Sequence, residues 1–372
     1  MAAMAGDGYV KDASGFVRIG GALEPPFEHQ GAFFTRNEDF FVCHGDPTPR
    51  LGKADWRLEL LGDGLERPLT LAFDDLARLP LHVVDCVLEC AGNHRTLFES
   101  VMGEDLSRGG DLTVTRWRLG GVGMARWSGV RLGDVLALAG LRAEAAFIMP
   151  VGLDVVRDED DDGVRVPLPR DKALDPDTII AFTMNGQPLP PDHGFPARLI
   201  VPGWVGTYSI KWLGRIEVTR ERPWVPRNTQ MYVLMGPHWP QAQFAPARGA
   251  PVTRHPIRSS LALPLPARLP PGRHRLNGYA RGNDHAVTGV SWSADSGVTW
   301  YAAEIVSTPA RYAWTQFAFD WDAVPGDHVL MTRAVDASGQ AQLMTIPFNL
   351  GGYVFNAVHP HPVTVACPVS VP

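Results

Sequence analysis

The chain has 372 residues, of which 45% are hydrophobic and 20% charged, and its formal net charge is −6. That length is too great for one compact core and predicts two domains. The negative balance offers no global field for nucleic acid or an anionic membrane, and no apolar run reaches the roughly eighteen residues of a membrane span.

Taken in order, residues 1–30 read as an irregular arm. The opening segment MAAMAGDGYVKDASG has no basic region, apolar core or twin arginine, so the chain as given predicts a cytoplasmic protein, or a periplasmic one if a signal has been removed. From Phe33 to about Val218 the pattern is mixed. Trp56 to Leu61 alternates like a strand, and Phe73 to Leu79 has helical spacing stopped by Pro80. The β-branched run VVDCVLEC ends at Cys90 and predicts a strand closed by the break Ala91-Gly92-Asn93. Val130 to Ala139 shows one helical apolar face, and Asp158 to Asp162 predicts a solvated acidic loop rather than a docking patch for a cationic redox partner. Ala197–Val201 and Ile210–Val218 read as strands. The prolines between Pro223 and Pro251 predict a long interdomain connection. Beyond Thr253, short alternating segments recur with turns between them. Val287–Ser293 and Val298–Ile305 flank Ala294-Asp295-Ser296-Gly297 as a hairpin would, and the whole pattern predicts an immunoglobulin-type sandwich.

The four cysteines, Cys43, Cys86, Cys90 and Cys367, are too few for a disulfide framework. His82, Cys86, Cys90 and His94 are spaced by four, which on a helix would make a zinc site. On a strand Cys86 and Cys90 stand roughly 13 Å apart and cannot share a metal, so Cys86 reads as a core thiol. Cys90 has two readings: a core cysteine before a turn, or a thiolate at a strand end beside His94 and Arg95, able to ligate a soft metal or attack an electrophile. Downstream, His193, Arg198 and Lys211 flank a bend containing Gly203 and Gly206. They read either as surface charges or as a phosphate clamp that is not a P-loop.

ECAGNHR at Glu89–Arg95, ARWSGVRLGDVL at Ala125–Leu136, MNGQPLPPDHGFPARLIVPGWVG at Met184–Gly206 and IKWLGRI at Ile210–Ile216 occur in that order. Together they resemble the sulfite oxidase family of molybdenum enzymes, over about residues 30–365. SADSGVTW and GYVFNAVH resemble that family's immunoglobulin-like dimerisation domain. The resemblance implies a fold of an α+β mixed molybdopterin-binding domain followed by an all-β immunoglobulin-like sandwich domain. The corresponding boundaries are an arm over 1–30, a catalytic domain over 31–245 and a dimerisation domain over 246–372.

It also implies a molybdenum-molybdopterin cofactor with Cys90 as the metal's thiolate ligand. His193, Arg198, Ser209 and Lys211 fall at cofactor-binding positions, as do Asp154, Cys43 and His44. Arg95 and Trp117 fall at substrate-pocket positions, Trp117 by its spacing to Trp127. Tyr232, counted without gaps from His193, falls at the active-site tyrosine. After Phe40-Phe41-Val42 the family usually places Arg-Asn-His, where this chain has Cys43-His44-Gly45. The missing arginine predicts a less basic pocket, with His44, Arg281 or His285 as replacement cations.

The implied activity is oxidation of sulfite to sulfate by oxygen-atom transfer at molybdenum. The implied partners are a small oxyanion substrate, an external electron acceptor and a second copy in a homodimer. The chain has no CxxCH to attach a c-type haem. The alternatives are the same cofactor reducing an S-oxide, an N-oxide or nitrate, and a molybdopterin-binding dimer with little turnover.

Overall fold

The computed structural model describes residues 8–30, 32–44, 47–154, 163–239, 241, 243–282 and 284–367. The acidic run 158–162, Gly45 and Asn283 lie outside them.

The arm is more ordered than its composition suggests. Val17–Ile19 turns back on Ala22–Glu24, which pairs in turn with Val42–Cys43. Gly20 adopts a left-handed backbone between the first two strands, a conformation that costs glycine little. Ala22 and Leu23 are fully buried, so this short hairpin is held by packing.

The predicted strand through the cysteines is Leu81–Glu89. It pairs antiparallel with Val122–Arg131, from Leu81 opposite Val130 to Glu89 opposite Val122. Val122–Arg131 pairs with Ile179–Met184, which also pairs with Gln187–Pro188 and Arg198–Ile200. Cys86 is 1% exposed in the core of this sheet, and burial pushes its thiol up to about 12. A second sheet joins Leu69–Ala72, Arg57–Leu61, Leu213–Thr219, Phe147–Gly152 and Leu168–Pro169. The helix Leu132–Leu138 packs Leu132, Val135 and Leu136 into the core between the two sheets.

Three expectations need correction. The helical face read from Val130 begins two residues later, because Val130 and Arg131 pair with Ile180 and Ile179 as strand. Leu213–Thr219 starts later than Ile210, since Trp212 has a positive φ and breaks the extension. The proline-rich stretch is not a bare linker. It holds the helical turn Pro226–Thr229 and the paired strands Val233–Leu234 and Ala250–Pro251, and it buries Val233, Met235 and Ala247 as its own small core.

After Thr253 the chain forms two facing sheets. One runs Arg258–Leu261, Gly272–Arg281, Thr315–Ala323, Glu304–Ile305. The other runs Ala267–Leu269, His361–Val365, Gly326–Asp336, Val287–Ser293, Tyr301–Ala302. They enclose Leu276, Val290, Phe317, Phe319, Leu330 and Val363. The expected hairpin pairs Val287–Ser293 with Tyr301–Ala302 only, and Glu304–Ile305 crosses to the facing sheet.

The two halves are joined at Glu89, which has no exposed surface. Its carboxylate accepts hydrogen bonds from Arg281 Nε and from Asn93 Nδ2 (2.8 Å), and Arg258 Nη2 is ion-paired with it. His255 Nε2 lies 3.0 Å from the Glu89 carbonyl oxygen. Removing one partner of a buried ion cluster leaves uncompensated charge, at a cost of about 3–5 kcal/mol. Glu89→Gln is therefore expected to lower unfolding free energy by that amount, measured as a shift of the denaturant midpoint at unchanged slope.

Candidate functional site

Cys90 sits where the strand Leu81–Glu89 stops. Its N–H donates to the Gly121 carbonyl at 2.9 Å, and Asn93 N–H donates back to the Cys90 carbonyl at 3.0 Å. Asn93 Oδ1 accepts from Gly121 N–H at 3.0 Å. His94 takes a left-handed backbone (φ 68°) and is held by the Arg118 carbonyl and by Ser260 Oγ, 2.9 Å from Nε2. The turn after Cys90 is thus pinned on both sides, which fixes where the sulfur points.

Arg95 lies under this turn. Its Nη1 donates to Thr115 O at 2.6 Å and its Nε to Gly352 O at 3.4 Å, and the guanidinium stands 5.2 Å over the Tyr353 ring. A Cβ on Gly92 would come within 2.6 Å of Arg95 Nη2, so the glycine makes room for the guanidinium. Arg95 is only 4% exposed. It sets the field around the cysteines more than it faces solvent.

Cys43 ends the short strand Val42–Cys43, and its thiol and that of Cys90 influence each other electrostatically. Cys43 is exposed and Cys90 half-buried, so both residues keep solvent-accessible surface. Interaction with the Cys90 thiol, opposed by burial and aided by the charges of Lys211, Arg227 and Arg95, pulls Cys43 down to about 7. Cys90 is held well above the usual thiol range, first by its interaction with the Cys43 thiol, then by burial and by the charge of Cys43.

A group of cations stands on the bend around His193, Arg198 and Lys211. Arg198 is 3% exposed and donates to His193 O (3.0 Å) and Ser209 O (2.9 Å), while its Nε has no partner among the described residues. Ser209 Oγ accepts from Val201 N–H, so Ser209 supports the guanidinium through its carbonyl. Lys211 Nζ is 2.7 Å from His44 Nδ1 and 3.2 Å from Asp192 O. Burial, followed by the charge of Arg198, pulls Lys211 down to about 7, and burial pulls Arg198 to about 9. Burial, aided by Lys211, pulls His44 down to about 2, so His44 is a neutral acceptor and not a replacement cation. His193 is likewise driven well below the usual histidine range by burial. Asp154 accepts from Val164 N–H at 3.1 Å, and burial raises its carboxyl.

Tyr232 adopts a left-handed backbone (φ 51°), its N–H donates to Tyr353 Oη at 3.3 Å, and the two rings stack 5.4 Å apart. Burial raises its phenol, with Arg227 opposing. Trp117 is fully buried, packed edge-on to Phe41, and its indole N–H has no partner among the described residues. Of the suggested replacement cations, Arg281 is spent on Glu89, and His285 is exposed on its loop.

Sequence reasoning missed four residues here. Lys11 Nζ donates to Phe40 O at 2.6 Å and stands 3.2 Å from His193 Nε2, with burial pulling it down to about 8. Asp192 accepts backbone N–H bonds from Val10 and Lys11 and the Thr48 hydroxyl. Arg227 and Tyr353 complete the surroundings of Tyr232 and the thiols. Lys11 and Arg227 lay in stretches read as arm and linker, where no local pattern marks them.

Buried cations held with depressed pKa values and an unpartnered Arg198 Nε describe a wall built for an anion, and the adjacent sulfurs describe a soft-metal position. The sequence profile of the family described as "Oxidoreductase molybdopterin binding domain" matches residues 44–225. The chain is 35% identical over 354 residues to mitochondrial sulfite oxidase of Mus musculus, covering 91% of this chain and 63% of that protein. It is 33% identical over 353 residues to sulfite oxidase of Gallus gallus, covering 90% and 74%. The chain thus spans under two thirds of the length of the mouse protein. The crystal structure of the sulfane dehydrogenase SoxCD from Paracoccus pantotrophus superposes with a TM-score of 0.78 at 24% identity, covering 94% of this chain and 88% of that one. That likeness establishes a shared fold.

Lys211 and Lys11 are both depressed, so the unfolded chain binds more protons than the folded one. The penalty is absent above about 10.5, grows as pH falls and is complete below about 7. Stability of the cofactor-free chain is expected to rise from pH 6 to pH 9. Lys211→Met should raise stability at pH 6 and flatten that rise by about 1–2 kcal/mol, discounted because Lys211 is only half-buried. Urea unfolding of both proteins at the two pH values checks this.

Proposed function

The chain belongs to the sulfite oxidase family, and from that premise we propose that it is a molybdenum oxidoreductase that oxidises sulfite to sulfate and passes the electrons to an external acceptor. The observation that carries this reading is Cys90, a half-buried thiol on a pinned turn, with the cations Lys211 and Arg95 acting on the thiol pair and Arg198 left with an unpartnered Nε. When bound, molybdenum-molybdopterin supplies oxygen-atom transfer and storage for two electrons.

The protein's own contributions follow from the geometry. Cys90 offers the soft sulfur ligand, and the pinned turn limits its movement. Arg198 and Lys211, positioned by Ser209, His193, His44 and Asp192, neutralise the cofactor's phosphate, with Asp154 at the edge of the same site. Neutral His193 and His44 leave the net positive charge on these two groups. Tyr232, with its phenol raised by burial, stays protonated and donates a hydrogen bond to a substrate oxyanion. Arg95 acts through position, tying Thr115 and Gly352 to the turn while its charge favours anions near the thiols. Trp117 backs Phe41 and the strand that carries Cys43.

The C-terminal pair of sheets is read as the immunoglobulin-like dimerisation domain, following 31–245 as the catalytic domain. A second substrate class, an S-oxide, is favoured by one observation. Cys43 stands where the family usually has an arginine, and Arg95 is buried, so the cleft offers an oxyanion less charge.

Sulfite oxidation with ferricyanide as acceptor is expected in the molybdenum-loaded chain. Cys90→Ser should lose both activity and bound molybdenum. Tyr232→Phe should keep the metal and lower kcat by about 10²-fold. A loaded chain inert toward sulfite and active on an S-oxide would overturn the sulfite assignment.

A further inference from the structure

The helical turn Pro191–His193 is gripped from two directions. From the bend, Arg198 Nη1 donates to the His193 carbonyl at 3.0 Å, Lys211 Nζ to the Asp192 carbonyl at 3.2 Å and Trp212 Nε1 to the Pro191 carbonyl at 2.9 Å. From the arm, the N–H groups of Val10 and Lys11 donate to the Asp192 carboxylate at 3.0 and 2.7 Å. With its backbone held there, Lys11 brings its ammonium to three acceptors. Nζ lies 3.0 Å from the Asn37 carbonyl oxygen, 2.6 Å from that of Phe40 and 3.2 Å from His193 Nε2.

An ammonium carries three protons and no lone pair. Two protons go to the carbonyl oxygens, and the third meets Nε2, which must then accept. His193 is 2% exposed, packs edge-on to Phe40 at 5.5 Å between ring centres, and has the cations Lys11, Arg198 and Lys211 around it. Its imidazole is therefore neutral. A neutral imidazole whose Nε2 accepts has its one proton on Nδ1.

We propose that Lys11 is a positioning residue of the cofactor site: it holds His193 as the Nδ1–H tautomer, so that the neutral imidazole offers a hydrogen-bond donor to the cofactor's phosphate. The phosphate half rests on the reading of the bend as the cofactor site; the tautomer does not. The other tautomer would set an Nε2 proton against the ammonium and present a lone pair at Nδ1, where an anion is repelled. Lys11 and His193 are 182 positions apart, so the arm shapes anion recognition on the bend without itself being part of it.

The test reads the tautomer directly, from imidazole nitrogen shifts in two-bond nitrogen–proton NMR spectra of the cofactor-free full chain at pH 7. His193→Gln identifies the His193 signals. Wild-type His193 is expected as Nδ1–H, and a wild-type Nε2–H tautomer overturns the proposal without any variant. Lys11→Met keeps the apolar stem and loses the donor, and His193 should pass to Nε2–H. Slow hydrogen exchange of the residue 10 and 11 amides verifies that the arm stays on Asp192 in that variant. Asp12→Asn, one position along and exposed, should leave the tautomer as it is. An unchanged tautomer in Lys11→Met overturns the proposal, as does the same shift in Asp12→Asn. For the phosphate half, molybdenum retained per chain during dialysis of the loaded protein should fall about tenfold faster in Lys11→Met than in wild type. Equal retention overturns that half. Should the wild-type chain take up no molybdopterin cofactor, the cofactor reading fails and the phosphate half falls with it, while the spectra still decide the tautomer.

Discussion

Two guanidinium groups from the C-terminal half close on one carboxylate of the N-terminal half, and that carboxylate, Glu89, immediately precedes Cys90. Burying three charges is unfavourable unless each meets its partners. Arg258 and Arg281 share the carboxylate, Asn93 takes one of its oxygens, and Arg258 Nη1 also reaches the Phe355 carbonyl at 2.9 Å. The arrangement can form only when both halves are folded and seated. The position of the Cys90 sulfur, one peptide further on, thereby depends on the C-terminal sheets as much as on its own.

The cationic wall follows the opposite rule. There the charges are not fully matched, and the depressed pKa values of Lys211, Arg198 and Lys11 measure the cost. Such groups destabilise the chain on its own and are relieved by an anionic ligand, the pattern expected where function opposes stability. The polar residues around them divide the work. Ser209 and His193 give carbonyl oxygens to Arg198, Asp192 gives one to Lys211, and Asp192 also anchors Val10 and Lys11. The arm is thereby tied to the bend that carries His193, Arg198 and Lys211.

The surroundings of the thiols are less basic than their arginines suggest. Arg95 spends its donors on Thr115 and Gly352, and Arg281 is bound to Glu89. What faces the thiols is a stacked tyrosine pair together with Lys211 and the field of Arg227. Under the proposed function, hydrogen bonding from the protonated Tyr232 phenol takes over part of the ionic recognition that an arginine at position 43 would provide.

Local pattern alone determined the strand through VVDCVLEC, the turn after Cys90, the core fate of Cys86, and the grouping of His193, Arg198 and Lys211 around one bend. Alternation, glycine breaks and residue chemistry act over a few neighbours, so they are written in short stretches of sequence. The start of the helix at Leu132 and the order within the proline-rich stretch were decided by pairing with distant strands. So were the burial of Arg95 and the pairing of Arg281 with Glu89. Each depends on which remote backbone or charge arrives beside it, and a side chain's burial and partners are properties of that packing, which no short window of sequence contains.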